Sequence, residues 1–420
     1  MERIRLLNTS VDGNTVKFSF SFSEGLAKFF ATDELFISYD EDISDISIEI
    51  LNIPFVSLML PVAWITNSII WVEKLDYTFY ESIFNIKRAY QEFYPEFKFG
   101  GTVVPAYAVR GSISDSGKKL VLYSGGLDSI TTYINNKSDI SSLFNIFGWV
   151  GSKKVSYEKY QQDKLNMIAF SQREDTPISF SESNFTQVIS NRFDELMHSK
   201  IHNNLWYGMQ HSMMFISIAI PFAVKHSINT ILIASSNTIG FRKACASDPT
   251  TDIEFNFMEN GHTIHDGFEL NRQDKIRCVV EYQKHLGKPF PIQVCSFNDN
   301  NCCSCEKCFR TILGLVAENA ELSDFGFYVD GDLKQHFLNV LKEKEQFLGL
   351  TFEEQCYWGD IKKRMTENYS IIEEKEFVDW FFNYDFLRGK KQAVARYRRE
   401  NFWKLVFKKT KSFLKRISGD

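Results

Sequence analysis

No apolar run in this sequence is long and clean enough to read as a membrane span, although 44% of its 420 residues are hydrophobic. Phe55 to Ile70 is interrupted by Pro61, Asn67 and Ser68, and Trp206 to Val224 carries Gln210, His211 and Pro221. A spanning helix needs about 20 predominantly apolar residues, so no transmembrane segment is expected. The opening residues MERIRLLNTS lack the apolar centre of a signal peptide, which points to a cytoplasmic chain. Scattered, disulfide-pairable cysteines are missing as well. Four of the eight cysteines, Cys302, Cys303, Cys305 and Cys308, fall within seven residues, a pattern of bound metal in a reducing compartment. With 24% charged residues, the composition excludes general disorder. A basic overall charge is also absent. The net charge is -5, and twelve lysines and arginines against two acids fall between Arg388 and Asp420, leaving 36 basic and 51 acidic residues elsewhere. Such an acidic body argues against general nucleic-acid binding.

The length allows two or three domains. Residues 1–115 read as an α+β region. Thr15 to Phe22 alternates polar with apolar, Leu35 to Tyr39 and Ser68 to Val72 are further strand candidates, and Ile50 to Leu60 and Tyr77 to Phe93 read as helices. No catalytic cluster falls there, so a structural or partner-facing role is expected. Residues 116–320 read as α/β with a parallel sheet. Leu120 to Tyr123 is a short buried strand, a helix follows from near Asp128, and Leu143 to Val150 is a second buried strand. Tyr157 to Phe170 reads as a helix, Thr186 to Ile189 as a strand, Leu205 to Lys225 as a long helix feeding the strand Thr230 to Ala234. Residues 321–420 read as a helical extension, with helices over Asp332 to Phe347, Phe352 to Glu367 and Glu373 to Phe386 and a basic amphipathic stretch from Val394 to Arg416.

The most informative stretch is LVLYSGGLDS, Leu120 to Ser129. Here a strand turns through Ser124-Gly125-Gly126 into a helix starting with Leu127-Asp128-Ser129. Glycines allow tight dihedrals and close ligand approach, and the exposed N–H groups of a helix start attract an anion. This predicts a phosphate site. It has no Walker lysine, and its glycines are adjacent rather than spaced as in GxGxxG.

The cysteines carry the second signal. Cys302, Cys305 and Cys308 recur at steps of three, and Cys295 upstream completes a closed four-thiolate set of the kind that holds structural zinc. A register using Cys303 in place of Cys302 is left open. An iron–sulfur cluster also fits four cysteines, but needs a redox role.

The hexapeptide Ser124 to Ser129 resembles, letter for letter, the SGGxDS signature of the PP-loop ATP pyrophosphatase superfamily. Cys295 with C-x-x-C-x-x-C and Arg310 just beyond is similar to the 7-cyano-7-deazaguanine synthase branch of that superfamily. The resemblance covers about Lys118 to Leu315. It implies a PP-loop (adenine nucleotide alpha hydrolase-like) domain that binds ATP and Mg²⁺ through Ser124, Gly125, Gly126, Leu127, Asp128 and Ser129, with adenine near the backbone of Gly148. Arg272, and after it Lys275, would reach the nucleotide phosphates. Zn²⁺ would sit on Cys295, Cys302, Cys305 and Cys308.

Substrate contacts are expected from His211 and from the polar loop Gly240 to Asp252, where Arg242 and Lys243 would meet phosphate or carboxylate and Asp248 and Asp252 a heterocycle N–H or magnesium. The chain departs from the branch in two places: Gln210 and His211 stand near the usual Arg-Asn pair, and the loop lacks the usual Tyr-Pro-Asp-Cys-Arg string. The implied activity is that of an ATP-dependent C–N ligase: adenylation of the carboxylate of 7-carboxy-7-deazaguanine or a close analogue, giving AMP and pyrophosphate, then amide or nitrile formation, or transfer to a protein amine. The N- and C-terminal regions resemble those of larger relatives found in bacterial anti-phage defence. They imply a protein partner, itself a potential acceptor of the acyl group, and a homodimer is compatible. Rival readings are a sulfur-inserting transfer-RNA enzyme, which would want a basic RNA face, and a non-catalytic nucleotide-binding scaffold.

Overall fold

Alternation of side chains builds the first hairpin of the computed structural model, which describes residues 2–402 except 154, 296–297, 299, 330 and 345–351. Strands β1 (Arg3–Asp12) and β2 (Thr15–Phe22) pair antiparallel, and β2 buries Val16, Phe18 and Phe20 while Lys17, Ser19 and Ser21 face outward. A strand's two-residue period puts every second side chain on the same face. The remaining strands are β3 (Glu34–Tyr39), β4 (Ile69–Asp76), β5 (Thr102–Val109), β6 (Lys119–Leu122), β7 (Ile140–Phe147), β8 (Ile178–Ser183), β9 (Thr230–Ala234), β10 (Asn256–Phe257) and β11 (Gly261–Asp266).

All eleven strands belong to one sheet, ordered β10-β11-β9-β6-β7-β8-β3-β2-β1-β4-β5. From β11 to β8 the neighbours run parallel, while β8 meets β3 antiparallel. The expected α/β architecture is thus present, and the N-terminal strands extend the loop-bearing sheet directly. Contacts divide the chain into Met1–Asn271 and Arg272–Asp420, so the division falls at neither residue 115 nor residue 320.

In the first unit, helix Ile53–Thr66 buries its whole circumference from Ile53 to Trp64, Pro61 included. A helix apolar all round belongs inside a core. Together, Ile48–Thr66 are long and apolar enough to cross a membrane, but 83% of that stretch is buried inside this structure. Helix Tyr77–Phe93 has the expected bounds and is capped by Asp76, whose Oδ2 accepts from Phe79 N at 2.8 Å. Helix His211–Lys225 packs its buried residues Met213, Ile216, Ile218 and Ile220 into the same core.

Thr186 to Ile189 is not the expected strand. Phe185–Val188 forms one helical turn, and the strand is β8, immediately upstream. Thr186 donates through N (3.2 Å) and Oγ1 (2.7 Å) to the carbonyl of Gly148, which holds the segment in a turn.

The second unit is helical. Its described helices are Arg272–Leu286, Glu306–Ala317, Leu333–Lys344, Phe352–Glu367, Lys375–Asn383 and Phe386–Glu400. Aromatic rings join them: Phe309 lies 3.9 Å from Phe337 between centroids, and Trp358 lies 4.2 Å from Phe386 in an edge-on contact. Most of the expected basic stretch, 403–416, lies outside the described residues.

Candidate functional site

The chain leaves β6 and builds β7 and β8 on one side, then returns to place β9 and β11 on the other. Strand order therefore reverses at β6, and in parallel α/β sheets ligands bind beyond the carboxyl ends of the strands at such a reversal. Ser124 to Ser129 occupies that position. Gly125 has φ of +73°, a left-handed conformation that glycine adopts without strain, and Gly126 forms the N-cap of helix Leu127–Asn136. Ser129 fastens the turn: its Oγ accepts from Ser124 N at 3.3 Å and donates to Gly126 O at 3.1 Å.

A cavity of about 480 Å³ opens on this loop, lined by Ser124, Asp128 and Ser129 together with residues from the ends of β6, β7 and β9. That is the size of a small-molecule site. Its walls include Phe147, Trp149 and Tyr160, and the rings of Phe147 and Tyr160 stack with centroids 4.2 Å apart and planes 14° apart. Flat aromatic walls suit a heterocyclic base, and the turn's hydroxyls and N–H groups suit phosphate. Lys159 also lines the cavity and is ion-paired with Asp163. Gly148, expected near adenine, is absent from the lining; its carbonyl is taken by Thr186, and a Cβ there would meet the Phe185 ring at 2.1 Å.

His211 does line the cavity. Its Nδ1 lies 2.9 Å from Trp206 O, and burial pushes its pKa below the ordinary histidine value, opposed by that hydrogen bond and by the charge of Asp252. The loop after β9 behaves differently from expectation. Arg242, expected to meet substrate, donates Nε to Asp248 Oδ2 and Nη2 to Asp248 Oδ1, both at 2.7 Å. Asp248 and Asp252 are fully buried. Asp252 Oδ2 accepts from Ser247 Oγ at 2.7 Å and pairs with His265 Nδ1 at 2.8 Å. Neither aspartate lines the cavity, so they do not fit as magnesium ligands there; Asp128 does line it. Lys243 is exposed and likewise outside the lining. The loop contributes Ser247 instead, with Tyr207 O accepting from Ala246 N at 2.7 Å and Tyr90 donating to Ala246 O at 2.6 Å to hold it.

Arg272 and Lys275 belong to the second unit. Arg272 donates Nη2 to Thr311 Oγ1 at 3.0 Å, and Lys275 is buried. The cysteines of that unit do come together. The sulfurs of Cys295, Cys302, Cys305 and Cys308 all lie within 4.8 Å of one another, and Cys302 and Cys308 are 3.9 Å apart. Tetrahedral Zn–S bonds of about 2.3 Å place sulfurs about 3.8 Å apart, so these four fit zinc. Cys303 stands outside this group. Its φ is +50°, it is buried, and its thiol donates to Asn301 O. Its carbonyl accepts from His336 Nε2 at 2.8 Å. The hydrogen bond between Cys305 and Cys308 lowers the pKa of the Cys305 thiol and raises that of Cys308.

Among the cavity residues not anticipated from the sequence are Trp149, Lys159, Tyr160 and Ser247. The aromatic ones stand at the end of β7 and the start of the following helix, where the parallel-sheet rule would have directed attention. No protein-family model matches this sequence, and no curated protein matches it.

Proposed function

We propose that this protein uses ATP to adenylate the carboxylate of a flat heteroaromatic acid, 7-carboxy-7-deazaguanine or a close analogue, and passes the acyl group to ammonia or an amine. One observation carries this: the SGGLDS turn opens at the carboxyl end of β6 onto an aromatic-walled cavity, where strand order reverses. A substrate carboxylate oxygen attacks the α-phosphorus of ATP, the bond to the β-phosphate oxygen breaks, and pyrophosphate leaves. The N–H groups of the Gly125-Gly126 turn and of the following helix start bind phosphate oxygens and stabilise the charge that grows on them. Ser124 and Ser129 hold the turn in shape, and Asp128, which lines the cavity, is the carboxylate that would hold a magnesium ion, which would shield the phosphate charge.

The four-cysteine centre is closed, with no position for water, and therefore supports a structural zinc. The large regions flanking the loop-bearing segment support a role beyond making a free base, as in the anti-phage relatives, within the cytoplasm and with a protein partner as acceptor. Purified protein mixed with α-labelled ATP and 7-carboxy-7-deazaguanine, with and without ammonium, tests the reaction. AMP, pyrophosphate and an amide or nitrile are expected with ammonium. AMP with a trapped acyl-adenylate in place of amidated base would indicate a protein amine as acceptor; ADP as the sole product would overturn the proposal.

A further inference from the structure

Both the backbone and the ring of His211 end on a single carbonyl. Residues Trp206–Gln210 form a π-helical turn, so the His211 backbone N–H bonds Trp206 O, and the ring Nδ1 lies 2.9 Å from the same oxygen. Single π-turns recur at functional sites because they re-aim the side chains that follow. A carbonyl oxygen only accepts, so Nδ1 carries the hydrogen. In the neutral ring Nε2 then holds the lone pair, on a side chain that lines the cavity.

The other titratable groups lining the cavity are suited to other roles. Lys159 and Asp163 are bonded to each other. The phenols of Tyr123 and Tyr160 are kept protonated by burial. Asp128 stands in the first turn of the phosphate-facing helix. His211 alone among these lining residues is a neutral base with a fixed tautomer, and burial keeps it neutral. The nearby Asp252, anchored by Ser247 and His265, favours the positive charge the ring would acquire.

We infer that His211 Nε2 is the proton acceptor of the second half-reaction, a role that rests on the adenylation proposed above. As the amine nitrogen bonds to the acyl carbon, the acyl carbon–oxygen bond to AMP breaks and AMP leaves with the electron pair. The proton lost by the nitrogen passes to Nε2 and then to solvent.

The test compares wild type with His211→Asn, whose amide can still donate to Trp206 O but is no base. Acyl-adenylate formation is followed by exchange of labelled pyrophosphate into ATP, and amide formation from ammonium chloride by mass. The expected result is a fall of about 100-fold or more in the ratio of amide formation to exchange, the scale of general base catalysis. Partial recovery of that ratio on adding imidazole to His211→Gly is also expected. An unchanged ratio in a folded His211→Asn protein would overturn the inference; if that variant melts early, His211→Gln is read by the same ratio. Wild-type protein that exchanges no pyrophosphate and releases no AMP would overturn the adenylation itself, and this role with it.

Discussion

Arg242 grips Asp248 with two parallel hydrogen bonds of 2.7 Å, although the arginine side chain is 41% exposed and the aspartate wholly buried. Asp248 also caps the short helix Pro249–Asp252, accepting from Thr250 N at 2.9 Å. Burial alone would raise the Asp248 pKa, but the bonds from Arg242 and Thr250 outweigh it and hold the carboxyl below its usual range. The pair thus shapes the loop that brings Ser247 to the cavity.

Asp248→Asn is expected to destabilise the protein by about 2–3 kcal/mol at pH 7, the scale of a lost charged hydrogen bond, read by urea melts. Because the folded pKa is depressed, the unfolded state binds more protons as pH falls. The advantage of wild type over Asp248→Asn is therefore full above the unfolded carboxylate value of about 4 and shrinks as pH falls through the lower folded value. Parallel pH–stability curves for the two proteins would contradict this assignment.

Metal content distinguishes the cysteines. Serine at Cys295, Cys302, Cys305 or Cys308 is expected to abolish stoichiometric zinc, measured by elemental analysis of purified protein, and to lower the melting temperature. Cys303→Ser is expected to keep one zinc per chain, because that thiol is bonded to Asn301 O outside the four-sulfur group. Loss of zinc from Cys303→Ser, with retention in Cys302→Ser, would reverse the register.

The turn itself can be strained. Gly125→Val puts a β-branched side chain at φ of +73°, where L residues cost about 1–2 kcal/mol each, and is expected to remove AMP formation while leaving the far-ultraviolet spectrum near wild type. Asp128→Ala is expected to remove AMP formation too, without the strain. Full AMP formation in Asp128→Ala would show that this carboxylate is not needed at the phosphates.

Gly148 is a packing position. Its missing Cβ makes room for the Phe185 ring, whose Cε1 would lie 2.1 Å from an added carbon. Gly148→Ala is expected to cost about 1–3 kcal/mol as overpacking, with nucleotide affinity changed less than the midpoint of denaturation. A loss of ATP binding at unchanged stability would instead return Gly148 to the nucleotide site.

Sequence alone disclosed the parts whose chemistry is local. The SGGLDS turn is contiguous, the cysteine steps are contiguous but for Cys295, and the periodicity of Tyr77–Phe93 marks its helix. What it hid is non-local. Strand β1 buries Ile4 while most of its other side chains stay partly or fully exposed, so it shows no alternation worth reading. Strand β5 contains Pro105, tolerated because β5 lies at the sheet's edge. Strand β8 buries Ser181 and Ser183, and Ser183 satisfies its hydroxyl by donating to Phe36 O at 2.6 Å, a partner 147 residues away. The loop aspartates looked like ligands for the same reason: only the fold reveals that Arg242, Ser247 and His265 already occupy them.

The pairing of β3 with β8 also orders events in time. Phe36 N donates to Asn184 Oδ1 across 148 residues of chain. A ribosome adding about 5–20 residues per second releases β3 roughly 7–30 s before its partner's last residues exist. Over that interval one side of β3 has backbone groups with nothing to bond, which is the kind of open edge that recruits other strands. Slower synthesis lengthens the time for which that edge stays open.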